Sequence, residues 1–294
     1  MWIVITLFAA ACQSVRTAYQ NTLSREAGFL HATMARSLYG LPLVSVYLGL
    51  CVWLIGSTSV ESPVFWPAVV VCAVSQILAT WCMLRVFHSG SFALGTLLAK
   101  TEAVLAALIG LPLLHYGLTL LGWLGIVLGV AGALVMSVKW RSLLSAHKDK
   151  SLLLGLASGL CFAITSVTAS MASHAMSGSL VVNAGVTLWC VLALQSLILC
   201  GIQMVQQRDW LAPFRRSLKL STQVGILSSL GSIGWFTGFA LVNPALVKTL
   251  GQIEIIGTLY FSRRRFGEAI SRQQWWGGAM IVVSVLLVTL AGRA

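Results

Sequence analysis

Ten apolar stretches follow one another along the chain, near residues 1–19, 33–55, 64–84, 92–113, 118–138, 152–172, 180–204, 220–241, 245–262 and 275–292, with short polar or basic segments between them. Roughly 20 residues at 1.5 Å rise cross a bilayer core of ~30 Å, so each stretch is predicted to be a membrane-spanning helix. The first has no basic residue ahead of it and runs on to Arg25 and Glu26 without a small-residue cleavage pattern, which predicts a retained helix and not a signal peptide. The segments between stretches are too short to build a soluble domain.

The pattern occurs twice. A shift of 152 residues (254 minus 102) lays Glu254 on Glu102, Trp275 on Trp123, Gly277 on Gly125, Ala245 on Ala93 and Phe239 on Phe87. Each half holds five stretches, and because five is odd the second half enters the membrane in the opposite sense. The expected fold is therefore an all-α membrane protein of ten transmembrane helices, built from two inverted five-helix repeats over residues 1–142 and 151–294. The polar stretch from Lys139 to Lys150 joins them. Inverted repeats of this kind enclose a site at the midplane and rock about it, the architecture of secondary transporters.

Composition agrees: 58% of residues are hydrophobic, 9% are charged and mean hydropathy is +0.90, values that exclude an ordinary soluble domain. The net charge of +12 is a topology signal and not a nucleic-acid footprint. Of 19 Lys and Arg, fourteen fall in odd-numbered loops: Arg25; Arg85; Lys139, Arg141, Lys148 and Lys150; Arg208, Arg215, Arg216 and Lys219; Arg263, Arg264, Arg265 and Arg272. The even-numbered loops hold none. Basic residues in short loops favour the cytoplasmic side, which puts both termini outside and lets the clusters attract anionic lipid headgroups. The seven cysteines all fall within stretches, without the spacing of a zinc site, and read as small apolar residues.

Gly90-Ser91-Phe92-Ala93, Ala99-Lys100-Thr101-Glu102-Ala103 and the run from Gly122-Trp123 to Gly132 resemble the second half of an EamA-like repeat. Asn243-Pro244-Ala245, Glu254 and Trp275-Trp276-Gly277-Gly278 form the counterpart, and Arg36 fits an arginine the family often carries in the second span. The whole chain thus resembles the ten-helix, two-repeat members of the drug/metabolite transporter superfamily. That resemblance implies transport activity in a bacterial inner (plasma) membrane. Ala103 and Ile255 stand where the family often has proline after the glutamate, and Leu188 stands at the repeat position of Arg36.

The polar residues inside the spans are the site candidates. Residues four apart share a helix face, so Thr96 with Lys100, and Lys248 with Gln252, form corresponding stripes on the fourth and ninth spans. Lys100 is close to a span centre, where an ammonium needs a partner or a cavity; Lys248, near the start of its span, either joins that site or snorkels to the interface. Trp81 and Trp235 lie where the family's cavity would be, as lining or as packing. Arg16 and Arg36 lie near span ends, as interfacial anchors or substrate contacts. Glu102 and Glu254 are either structural carboxylates or proton-exchanging ones. The substrate-binding candidates are thus Lys100, Thr96, Lys248, Gln252, Trp81 and Trp235, with Glu102 and Glu254 for coupling.

These features predict a secondary transporter of a small polar metabolite of amino-acid or organic-acid type, with efflux as the direction. The partners are the small-molecule substrate and membrane lipids, not nucleic acid, and the protein is a monomer or homodimer. A flippase for a lipid or lipid-linked sugar is the alternative. No cofactor or metal is expected, since the chain has no G-x-x-x-x-G-K-[ST] and no H-E-x-x-H; nor is enzymatic activity.

Overall fold

The computed structural model describes residues 1–88, 101–114, 117–137, 150–206, 217–255 and 271–292. The predicted first span is α1 (Trp2–Ala27), and the second is split into α2 (Phe29–Leu38) and α3 (Leu41–Ile55). Then come α4 (Phe65–His88), α5 (Glu102–Leu114), α6 (Leu120–Ser137), α7 (Lys150–His174), α8 (Leu180–Gln206), α9 (Leu218–Leu241), α10 (Pro244–Gly251) and α11 (Arg272–Ala291). Six described spans are long and apolar enough to cross a membrane, α2 and α3 counting as one; α5 and α6 are shorter apolar helices.

Two local choices shape the bundle. Gly28 turns the chain between α1 and α2 at φ 88°, a left-handed conformation that costs glycine nothing. Pro42, in the first turn of α3, cannot donate to the helix before it, which separates α2 from α3. At the same break, Ser229 of α9 donates to the Gly40 carbonyl at 3.0 Å.

The most extensive pairings are α6 with α11, α4 with α7, and α1 with α9. Under the 152-residue shift α1 corresponds to α7, α4 to α9 and α6 to α11. A pseudo-twofold axis would therefore exchange the α1–α9 and α4–α7 contacts and map α6–α11 onto itself, the pairing two interlocked inverted repeats should give. The α6–α11 seam is made by small residues: a Cβ at Gly125 would come within 2.7 Å of Val288, and one at Gly132 within 2.8 Å of the Gly277 carbonyl.

The distribution of polarity is inverted relative to a water-soluble protein. Trp53 is 80% exposed and Trp276 72%, with Leu54, Leu197 and Leu286 also outward, whereas Gln20, Asn183, Thr187 and Ser284 are buried. Such a surface suits lipid. Many hydroxyls return to a carbonyl one turn back, as Thr6 does to Trp2 and Thr249 to Ala245, both at 2.8 Å, so they need no water.

On one face of the bundle the α3–α4 loop is tied to the α7–α8 loop. Thr58 donates to Asn183 Oδ1 at 2.6 Å, the Ser59 and Ser177 hydroxyls are 2.8 Å apart, and the Ser177 N–H donates to the Ser59 carbonyl at 2.9 Å. Asn183 also donates to the Ser173 and Met176 carbonyls at 3.0 and 3.1 Å. The seven cysteines are free thiols, and Cys12, Cys51, Cys72 and Cys82 are buried.

Candidate functional site

Lys248 is carried to the bundle interior by a short helical hairpin. Only Val242 and Asn243 separate α9 from α10. Asn243 caps α10 by accepting the Ala245 N–H at 3.0 Å, and Pro244 occupies the opening turn, where a missing N–H costs nothing. The chain reverses at once, so Lys248 lies back against α9. Its Nζ is 5.0 Å from the Trp235 ring centre, 5.5 Å from Phe239 and 5.4 Å from Phe162 of α7. Gly251 leaves room for this arrangement, because a Cβ there would strike the Trp235 ring.

The Lys248 ammonium donates to Glu102 Oε2 at 3.0 Å. Lys248 is 8% exposed, so it does not snorkel to the interface. It pairs with the buried acid of the other repeat, joining α10 to α5. Two charges inside the bundle thereby compensate each other, and three ring faces add cation–π attraction, worth ~2 kcal/mol or more when desolvated.

Lys248, Trp235, Phe162 and Phe239 line a small central cavity, of about 30 Å³, shared with Gln13 and Arg16 of α1, Arg36 of α2, Gln76 of α4, Thr165 of α7, and Ser232 and Phe236 of α9. Its lining comes from both repeats. Arg16 is 6% exposed and Arg36 4%, so of the two sequence alternatives, interfacial anchor or substrate contact, burial removes the first. Position along the helix placed them near span ends; rotation about the axis turns both inward. Arg36 Nη1 donates to Thr80 at 3.2 Å, and the Arg16 guanidinium interacts electrostatically with Glu254. The Nε atoms of Arg16 and Arg36 and the Trp235 indole N–H are buried without a hydrogen-bond partner among the described residues. Gln195 of α8 donates to Gln76 Oε1 at 2.8 Å, which leaves the Gln76 amide NH2 as a further donor.

The other sequence candidates divide. Thr96 and Lys100 lie outside the described residues. Gln252 does not share the cavity with Lys248, because α10 ends at Gly251 and the next residues tighten into three-residue turns, Gln252 N–H to Thr249, Ile253 to Leu250 and Ile255 to Gln252. Its side chain packs beside Gly129 of α6 instead. The helix is thus interrupted before Glu254 without any proline. Trp81 is 37% exposed in a separate outer groove, its ring under the Arg85 guanidinium. It does not reach the central cavity. Among the described residues no group of three or more His, Cys, Asp or Glu could hold a metal ion.

A sequence model of the EamA-like transporter family matches residues 1–138 and again 149–290. The chain belongs to the EamA-like transporter family. Membership of this family makes the protein a membrane transporter of the drug/metabolite type, and the donor-rich cavity lies between the two EamA-matched segments. A solved crystal structure is similar in fold, with a TM-score of 0.69 at 18% identity, covering 100% of this chain and 99% of that one. No curated protein matches the chain.

Proposed function

We propose that this EamA-family protein is a secondary transporter that carries a small solute bearing a carboxylate or comparable anionic group through the Arg16–Arg36–Lys248 cavity by alternating access. The observation that carries this reading is the pair of buried guanidinium groups, each with an unpartnered Nε, lining one cavity with Lys248. Buried donors without acceptors are costly, and an anionic solute would supply the acceptors with planar, bidentate geometry. Trp235, Phe236 and Phe239 offer a face for an apolar part of the same solute. At about 30 Å³ the cavity holds a water or two, so the repeats must separate to admit a solute, the motion inverted repeats provide.

Glu102 and Glu254 belong to the same reading as coupling groups. Each faces a cation of the site, Lys248 and Arg16 respectively, and substrate competing for that cation would release the carboxylate to take a proton. Export is the proposed direction. The basic loops are proposed to be cytoplasmic and both termini external, so a reporter fused at Ala294 should register outside; a cytoplasmic signal reverses the orientation and leaves the cavity unchanged.

The test is a proteoliposome assay preceded by a thermal-shift screen of amino and organic acids. Arg36→Gln and Arg16→Gln should each lower transport of the selected anion at least about tenfold, the loss of a charged hydrogen bond worth ~1.5–3 kcal/mol, while the folded protein remains. Glu102→Gln or Glu254→Gln should end accumulation driven by a pH gradient and preserve exchange. Wild-type rates in both arginine variants would refute the anion site.

A further inference from the structure

A second feature lies on the outer surface, away from the central cavity. Phe29 and Leu30 of α2, Leu78 and Trp81 of α4, and Leu199 and Ile202 of α8 bound an open groove of about 520 Å³. That volume falls in the range of sites that hold small ligands. The lining is almost wholly apolar and faces the hydrocarbon side of the bundle, which suits an acyl chain and not a hydrated solute. At one end stands Arg85, its guanidinium carbon 4.7 Å from the Trp81 ring centre and 5.0 Å from that of Phe29. Among the described residues no carboxylate pairs with Arg85.

We propose that this groove is a specific binding site for an anionic phospholipid, with one acyl chain along α2, α4 and α8 and the headgroup phosphate on Arg85. Two aromatic rings fix the plane of the guanidinium by cation–π contact, and an arginine so held presents its N–H edge in the fork that matches phosphate oxygens. Arg85 is near the end of α4 and Phe29 opens α2, so the charged end of the groove sits where those helices leave the membrane. Leu23, Phe29, Leu84 and Leu220 pack together there, so Arg25 and Lys219 stand at the same end of the bundle, where an anionic headgroup is favoured over a zwitterionic one. Charge, depth and shape agree on one occupant. The site shares no lining residue with the central cavity, so it stands whether or not the transport reading does.

The experiment is native mass spectrometry of the purified full-length protein with an equal mixture of phosphatidylglycerol and phosphatidylcholine of identical acyl chains, alongside thermal stability with each lipid alone. One arginine near a membrane surface is worth ~1 kcal/mol of anionic preference, so the wild type should retain phosphatidylglycerol about fivefold over phosphatidylcholine and melt higher with it. Arg85→Gln should reduce that preference below about twofold, whereas Lys219→Gln, a basic residue outside the groove, should keep it. Leu78→Trp fills the groove from an exposed position and should lower retention of both lipids. A wild type without preference, or an Arg85→Gln protein that keeps a preference of about twofold or more, overturns the proposal. Should Arg85→Gln fail to fold, the Leu78→Trp protein decides: unchanged retention of phosphatidylglycerol overturns the site.

Discussion

Two buried polar clusters join the halves of this molecule, and they are built in opposite ways. Around Asn183 every side-chain group is satisfied: the carbonyl oxygen accepts from Thr58 and the amide donates to the Ser173 and Met176 carbonyls. Around Arg16, Arg36 and Trp235 three buried N–H groups have no acceptor among the described residues. A satisfied network fixes one arrangement, and its worth is stability. An under-satisfied network costs stability and is retained where a ligand completes it. The same polar chemistry thus separates a structural latch from the proposed site.

The largest effect should come from breaking the ion pair that adjoins the site. Lys248→Met leaves the buried Glu102 carboxylate without its cation, and removing one partner of a buried pair costs ~3–5 kcal/mol. Thermal unfolding should show a large drop, and Lys248→Met combined with Glu102→Gln should recover most of it without recovering transport. A double variant as unstable as the single one would mean that the ring contacts of Lys248, and not its partner, dominate.

Asn183→Ala probes the other cluster. It strips one acceptor and two donors from a dry location, so stability should fall by ~1–3 kcal/mol, read as a lower melting temperature, while the solute concentration for half-maximal transport stays unchanged. A changed apparent affinity with unchanged stability would erase the distinction between latch and site. The smallest effect is expected for Trp81→Leu. Because Trp81 lies in the outer groove, solute affinity should change by less than about twofold, within the range of substitutions that touch neither core nor ligand. A larger change would connect that groove to the transport path.

Trp81 and Trp235 also show what could be read before the structure. Both are tryptophans within apolar spans, and span position alone does not say which of them faces the cavity. A helix that is hydrophobic all round carries no polar face to say which side is inward. Arg16 and Arg36 are visible as charges, and for the same reason their positions alone do not separate an interfacial anchor from a substrate contact. Lys248 and Gln252 share a face on a regular helix, and the tightening after Gly251 separates them. The family's proline is missing there, so its usual sequence marker of a helix break is absent.

Sequence by itself determined the all-helical membrane class, the doubled pattern and the matched positions of the two glutamates, because length, apolarity and the 152-residue correspondence are properties of the chain alone. The tertiary structure decided which charges meet. Glu102 and Lys248 are 146 positions apart and come from different repeats, and Arg16 and Arg36 reach the same cavity through the rotation of two separate helices. Partnership in a helical bundle depends on the relative rotation and depth of packed helices, which side-chain packing sets and no local pattern encodes.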